Sequence, residues 1–449
     1  MFFIKKPKRV AFLVYEPKNQ RREDNSFDGN DNIGAKVIAD ALKNAGIPIK
    51  YVSPESAAHD ADIVLISLTS THDVFALLAA VARLPSWQAK QRKFQVLAGG
   101  FGMQNPTAIR DFIDYAAFGR AHEWVSGVVN DMMQGREPQH PSLMDIKRFN
   151  SIEIYQGGLY TGEVEGFKEE FTGCPLKCKF CHYTYARKHQ GSDDSYNSSP
   201  YVQTSLTGGG TPEVTWDQLL TWKQKAGRVR VAIDGFSQRL RYLYGKRISN
   251  DDIINGINNM GSFSTEKATT LMVYNIVNFP GERDHDYEEF VDTVSKANPL
   301  GRVIVVVQST PFRPSLATPM QWEPVALYPD WSKRRAEVII ERPNLRVVHS
   351  FTLETPWTHA TSVVAERATP ADDDAIRAIV FSPKLAKLRA DKALAVFNKN
   401  FDINKWLAER DIDTGSPAPW ISSYIKPDII RKIAHKMRKE RIGWTLNEL

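Results

Sequence analysis

The hydrophobic positions fall into short blocks that alternate in period. "RVAFLVY" (9–15) is a continuous apolar run of strand length, whereas "NIGAKVIADALKNAG" (32–46) spaces its apolar residues helically and stops at Gly46, a natural helix-ending glycine. The alternation continues with a strand at "ADIVLISL" (61–68), a helix at "DVFALLAAVARL" (73–84) and a strand at "FQVLAGG" (94–100). A helix at "PTAIRDFI" (106–113), a short strand at "YAAFGR" (115–120) and a helix at "EWVSGVVNDMM" (123–133) complete the series. Strands and helices in turn with short connections predict a doubly wound, flavodoxin- or Rossmann-like parallel sheet over 1–135, with ligands at the carboxyl ends of its strands. Residues 136–165 are polar and proline-containing and are expected to be a connector, with hairpin-like alternation in "IEIYQGGLYTGEVEGFKEEF".

From 166 to 325 the alternation resumes. Strands are predicted at 202–208, 229–235, 269–279 and 302–310, with helices at 215–226, 250–260 and 286–297. This pattern predicts a partial or full parallel (β/α) barrel with its chemistry at the strand carboxyl ends. Residues 326–449 are expected to be a mixed, mostly helical accessory region. They end in a basic helix, Lys426 to Arg441, with seven Lys/Arg against two acids.

At 449 residues, 42% hydrophobic and 24% charged, the composition is globular and long enough for two or three domains. No run of 18 apolar residues is present, so no membrane partner is expected. The opening "MFFIKKPKRVAFLVYEP" has too short an apolar run, and no small-residue cleavage site, for a signal peptide. A cytoplasmic location is expected, which for a viral protein means the host cytoplasm. The net charge of +6 permits an anionic partner without requiring one.

All three cysteines, Cys174, Cys178 and Cys181, lie within eight positions in "FTGCPLKCKFCHYT". They are too few and too clustered for a disulfide framework. A zinc ion on three thiolates plus His182 or His189 is chemically sound. Three thiolates in one tight loop also suit three irons of a [4Fe–4S] cluster. With no fourth cysteine, the fourth iron is left for a substrate or cofactor.

The spacing C-x3-C-x-aromatic-C, with Phe180 as the aromatic, resembles the radical S-adenosylmethionine (SAM) superfamily. The resemblance implies that the open iron chelates the amino and carboxylate groups of SAM. An electron from the cluster then cleaves SAM to a 5′-deoxyadenosyl radical, which abstracts hydrogen from carbon, so an electron donor such as flavodoxin or ferredoxin is implied. It further implies cofactor contacts from Phe180, from Gly208, Gly209 and Gly210 in "TGGGTPE" (207–213), and from Asp234 and Ser237 in "VAIDGFSQRL" (231–240). "NFPGERDHDYEEF" (278–290) and "STPFRPSLATPMQW" (309–322) resemble the subgroup with an N-terminal cobalamin-binding-like domain. Ser67-Leu68-Thr69 and Gly99-Gly100 match two of that domain's loops. The third loop, "EPKNQRREDNSFDGNDNIG", has no histidine to offer cobalt, so cobalamin stays open as a cofactor.

No protein acid or base is needed to abstract hydrogen, and catalytic residues stay unassigned. Tyr183, Tyr185, Arg187 and His189 follow the cluster, and Gln308 and Arg313 lie on the last predicted barrel strand, where a pocket is expected. The compact domain arrangement also resembles the radical SAM isomerases of bacteriophage thymine hypermodification, which implies modified DNA as a partner. A glycyl α-carbon flanked by amino and carboxyl groups is a good radical site. The alternative is a cobalamin-dependent radical SAM methyltransferase acting on a peptide or small molecule.

Overall fold

A computed structural model describes residues 8–15, 33–68, 71–88, 90–164, 167–169, 171–174, 176–191, 229–262, 268–327, 337–351, 356–381, 390–414, 421–422 and 425–446. The chain is mixed α/β with two parallel-dominated sheets, and it divides into two units. The first comprises Met1–Glu169, Ala360–Trp406 and Gly415–Pro427; the second comprises Glu170–His359, Leu407–Thr414 and Asp428–Leu449.

The first unit is built on strands β1 (Val10–Tyr15), β2 (Ile49–Tyr51), β3 (Ile63–Leu68), β4 (Gln95–Gly99), β5 (Tyr115–Ala117) and β6 (Leu143–Asp145). Their order is β2-β1-β3-β4-β5-β6, all parallel except β6. The order reverses between β1 and β3, which makes the carboxyl ends of these two strands the topological switch point. β3 is buried almost throughout, as a strand covered on both faces must be. Helices α1 (Ile33–Asn44) and α4 (Val125–Gln134) bury Leu42, Val128, Val129 and Met132 against Val10, Phe12, Ile63 and Leu65. The helices between them in sequence are α2 (Pro54–Asp60) and α3 (Thr71–Val81).

Three local expectations change. The segment 106–113 is not an α-helix but a single 3-10 turn, Pro106–Ile109. Asn105 caps it by accepting the Thr107 N–H at 3.0 Å, but the stretch before β5 is too short to repay helix nucleation. The connector supplies β6, which pairs antiparallel with β5, and the edge strand β2 is three residues long, below any readable period.

In the second unit a two-strand bridge, β7 (Phe171–Thr172) with β8 (Gln190–Gly191), closes the cysteine loop. Helix α5 (His182–Ala186) lies inside that loop. The sheet that follows contains β9 (Val229–Ala232), β10 (Thr269–Val277), β11 (Val303–Pro311), β12 (Glu337–Arg342) and β13 (Leu345–Phe351). Its order is β9-β10-β11-β13-β12, and only β12 runs antiparallel. β12 and β13 fall in the stretch expected to be a helical accessory region. The strand expected at 202–208 and the helix at 215–226 lie outside the described residues.

β10 alternates throughout between buried and half-buried residues, and β11 does so as far as Thr310. Their buried face (Leu271, Val273, Val303, Val305, Val307) packs on Ile253, Ile257 and Met260 of α7 (Asn250–Ser262) and on Phe290 and Val294 of α8 (Asp284–Lys296). The other face carries Tyr274, Gln308 and Ser350 side by side in register. A further helix, α6 (Gln238–Leu243), follows β9, and α9 (Pro427–Leu446) ends the described chain.

Among the described residues no helix is long and apolar enough to cross a membrane.

Candidate metal and cofactor site

The cysteine loop is held at both ends. Gly173 adopts φ 74°, and a Cβ there would lie 2.5 Å from the carbonyl oxygen of Lys188. Only glycine fits that crossing. Within the loop the Cys181 N–H reaches the Cys178 carbonyl at 3.1 Å, and the Thr184 N–H reaches the Cys181 carbonyl at 3.2 Å. These turns bring Cys178 and Cys181 onto successive corners of one loop, with Cys181 at the start of α5.

None of the three cysteines forms a disulfide; Cys178 is buried, and Cys174 and Cys181 are half-buried. Burial pushes the Cys178 thiol well above its ordinary value; Lys246 opposes this, while Asp234 and the other two cysteines add to it. Burial likewise raises Cys181, against the pull of the Thr184 and Tyr183 N–H groups. Burial thus makes this a place where a bare thiolate is unfavourable. Such thiols become ligands when a metal centre takes up their charge.

Among the described residues no three His, Cys, Asp or Glu side chains converge closely enough to hold one metal ion. A tetrahedral zinc requires that convergence, with each sulfur ~2.3 Å from the ion. A cluster does not, because each thiolate binds a different iron. His182, one candidate fourth zinc ligand, is half-buried and held neutral, down at about 4 through desolvation, with Nδ1 2.7 Å from the Leu316 carbonyl oxygen. Three cysteines in one loop are a donor set that suits an iron–sulfur cluster with one iron left open.

A second segment cradles the loop from below, and sequence reasoning missed it. Helix α6 stops in a Schellman-type turn, with the Lys246 N–H reaching back to the Arg241 carbonyl at 2.7 Å. Gly245, at φ 85°, sits in that turn, and a Cβ on it would lie 2.4 Å from the Lys177 carbonyl oxygen. The Lys179 N–H donates to the Tyr244 carbonyl at 2.8 Å. Arg241, fully buried, ties the segment together. It donates to the carbonyls of Phe236 (2.6 Å), Ile248 (2.8 Å) and Gly235 (3.1 Å), and burial pulls it down to about 10.

Asp234 follows β9 with φ 50° and forms a buried ion pair with Lys246 at 2.9 Å. Burial alone would lower Lys246; Asp234 and the thiols of Cys178 and Cys174 outweigh it and hold the lysine charged. Ser237 caps α6 by accepting the Leu240 N–H at 3.3 Å, and its hydroxyl donates to the buried Asp286 carboxylate. Asp286 also takes Arg239 Nε at 2.8 Å. The Ser237 side chain is thus engaged in holding the loop. Gly208, Gly209 and Gly210 lie outside the described residues.

Phe180 packs against Phe279, with ring centroids 5.4 Å apart, and Phe279 stacks on Tyr244 at 4.5 Å. Phe312, Met320 and Met437 complete this apolar floor. Beside it, the Glu282 carboxylate accepts the Phe279 N–H at 2.9 Å. Burial, with the Asp286 charge adding, pushes Glu282 up to about 8 against the pull of the Phe279 and Asn278 N–H groups and Arg239. An unfolded glutamate titrates near 4.3. Between these values the native state keeps a proton that the unfolded state has lost, so stability falls as pH rises. E282Q is expected to melt like the native protein below pH 4 and at a progressively higher temperature than it as pH rises to 8.

Of the residues expected to line a pocket, Tyr185 is buried, whereas Tyr183 lies under the Arg187 guanidinium at 5.3 Å. The Tyr183 hydroxyl accepts the Gly173 N–H at 3.1 Å, so it braces the loop. His189 lies at the same crossing, its backbone against Gly173. Gln308 lies on the sheet face turned away from α7 and α8, in register with Tyr274 and Ser350, and Arg313 follows the end of β11.

The basic helix α9 is not a free tail. Ile430, Ala434 and Met437 are buried along one stripe. Arg438 donates to the buried Glu323 at 2.7 Å and to the Trp322 and Arg410 carbonyls at 2.9 and 2.8 Å; Arg441 pairs with Glu323 and with Glu409 at 2.6 Å. Two of the seven basic residues are therefore internal. Lys432, Lys436 and Lys439 remain exposed at i, i+4 and i+7 on one face.

In the first unit, Gly100 at φ 102° passes so close to β3 that a Cβ would lie 2.3 Å from the Leu68 carbonyl oxygen. Close packing of two strand-end loops accounts for this glycine by itself. Ser67 lies near the end of β3; Thr69 lies outside the described residues.

Comparison with protein-family models gives no match, and neither does comparison with curated proteins. Among solved structures the chain is similar to the cobalamin-dependent S-adenosylmethionine radical enzyme OxsB. The apo, selenomethionine-labelled form gives a TM-score of 0.31 at 10% identity over 97% of this chain and 61% of that one. The form with aqua-cobalamin gives 0.29 at 10% identity over 68% and 44%, and the form with aqua-cobalamin and S-adenosylmethionine gives 0.27 at 9% identity over 97% and 62%. The chain spans less than two thirds of the length of each of these structures. A likeness at this level carries no functional argument.

Proposed function

We propose that the protein is a radical SAM enzyme whose [4Fe–4S] cluster is held by Cys174, Cys178 and Cys181. The carrying observation is the loop itself: three buried or half-buried thiols at C-x3-C-x2-C spacing, closed by β7 and β8 and supported by the turn after α6. When bound, the cluster supplies one electron and an open iron for SAM. The chain supplies the dry floor (Phe180, Phe279, Phe312) that keeps water from a reactive intermediate. Tyr274, Gln308 and Ser350 bring uncharged hydrogen-bonding groups together on the half-buried face, suited to orienting a polar substrate.

Isomerisation is the favoured reaction, with a glycyl-substituted thymine in DNA as the substrate. The absence of a histidine in the loop after β1 supports this over chemistry at cobalt. The exposed Lys432, Lys436 and Lys439 suit a phosphate backbone. A cobalamin-dependent methyl transfer to a peptide or small molecule is the second reading, favoured by the doubly wound first sheet with its switch point at β1 and β3.

The test is to incubate anaerobically reconstituted protein with SAM and reductant, with and without cobalamin. Deoxyadenosine produced without regard to cobalamin supports hydrogen abstraction, and cobalamin-dependent S-adenosylhomocysteine supports the methyl-transfer reading. No SAM cleavage at full iron content rejects both. If DNA is bound through α9, K432A/K436A/K439A weakens binding and flattens the slope of log K against log salt by up to about 3. An unchanged slope returns these lysines to an ordinary solvated face.

A further inference from the structure

We propose that Asn275, Ser309 and His349 are positioning residues: a buried hydrogen-bonded chain that fixes the Asp234–Phe236 loop after β9 and, through it, the turn on which the cysteine loop rests. The inference rests on the reading of the cysteine loop as a cluster site and extends it to three residues far from that loop in sequence.

β10, β11 and β13 bury a face built of Leu271, Val273, Val303, Val305, Val307 and Val347. Toward the carboxyl ends of the same strands this face turns polar, with Asn275, Ser309 and His349 at 1%, 2% and 0% exposure. The Gly235 N–H donates to Asn275 Oδ1 at 2.6 Å, the Asn275 amide reaches Ser309 Oγ at 3.5 Å, and Ser309 Oγ lies 2.7 Å from His349 Nε2. Ser309 and His349 stand at the distance of a nucleophile and its base, but their burial puts both out of reach of a substrate. Polar side chains buried among valines cost free energy that apolar ones would not; what a connected chain of them contributes is rigidity.

Both ends of the chain grip one loop. Asn275 holds the Gly235 N–H, and the His349 ring meets the Phe236 ring edge-on at 5.3 Å while stacking with Tyr287 of α8 at 5.6 Å. The loop needs holding, because Asp234 and Gly235 stand at φ 50° and 137°, and a side chain at positive φ persists only where its surroundings fix it. From this loop, contacts run without a gap to the cysteines. Arg241 donates to the Gly235 and Phe236 carbonyls at 3.1 and 2.6 Å, and Asp234 pairs with Lys246 at 2.9 Å. The Lys246 N–H closes the turn after α6 on the Arg241 carbonyl at 2.7 Å, and in that turn the Tyr244 carbonyl accepts the Lys179 N–H at 2.8 Å.

The experiment measures the rate of iron release to a chelator from the anaerobically reconstituted full-length chain, with the melting temperature of each variant alongside. N275L removes the acceptor for Gly235 and is expected to release iron about tenfold faster than the native protein. S309A is expected to move in the same direction, and S309T, which keeps the hydroxyl, to release iron at the native rate. V307A is the control. It truncates a fully buried side chain on the same face and lowers the melting temperature, but it leaves the chain intact and is expected to release iron at the native rate. A merely structural role would make iron release follow the melting temperature across all four variants. That result, or an N275L that holds iron as well as the native protein, overturns the proposal and leaves the cluster reading standing. Where N275L does not fold, S309A and S309T decide: faster release from S309A supports the proposal, and equal rates overturn it. A native protein that takes up no iron overturns both.

Discussion

Replacing Cys178 with alanine is expected to remove the cluster outright. Iron falls from about four per chain to background, and SAM cleavage goes with it. The chain holds three cysteines in all, so no spare thiol can substitute. The same loss is expected at Cys174 and Cys181, but Cys178 is the decisive position. It is the most buried of the three, its sulfur lies where Lys246 and Asp234 act on it, and the Lys179 N–H beside it is tied to Tyr244. Serine in its place would present a hydroxyl that does not ionise in such surroundings. Iron and acid-labile sulfide per chain check the expectation directly. Native iron content in C178A would remove the loop from consideration as a metal site.

The loop was legible because its chemistry is local. Three cysteines within eight positions need no tertiary structure to be recognised, and the aromatic Phe180 marks the same loop. The parallel sheets were legible for a related reason. β1, β3, β10 and β11 are continuous or alternating apolar runs long enough to show their period.

What escaped the sequence was short or depended on distant partners. β2 has three residues. β12 is an edge strand with mostly exposed side chains and a register shift between Val338 and Ile340, so its apolar pattern is broken where a central strand's is not. The charged residues misled most. Arg241 is a charged residue among Leu240, Tyr242 and Leu243, yet it is fully buried and clamps four groups. Arg438 and Arg441 read as part of a basic surface, yet both serve Glu323, which is 1% exposed and lies 115 residues or more away in sequence. Long-range pairing of this kind leaves no periodic trace. Gly245 did leave one: a glycine directly after "SQRLRYLY" is the usual mark of a helix end. What the mark could not show is that the turn it forms carries the cysteine loop.

That dependence makes Gly245→Val the second large effect. Two penalties combine. The backbone stands at φ 85°, where a side chain costs roughly 1–2 kcal/mol, more for a β-branched one. The new Cβ would also lie 2.4 Å from the Lys177 carbonyl oxygen and 3.1 Å from its carbon. Both are backbone atoms of the cysteine loop, so no side-chain rotation relieves the clash and the loop itself must move. Cys178 moves with it, and its position relative to the other two cysteines of the loop is disturbed. G245V is therefore expected to lose most of its iron while keeping the circular-dichroism spectrum of a folded α/β protein. Gly46→Ala supplies the control. Gly46 has a similar φ of 74°, but a Cβ there meets nothing within 4 Å. G46A should lose about 1 kcal/mol of stability from backbone strain alone and bind iron normally. If G245V binds iron as well as G46A does, the turn after α6 is not what positions the cysteine loop.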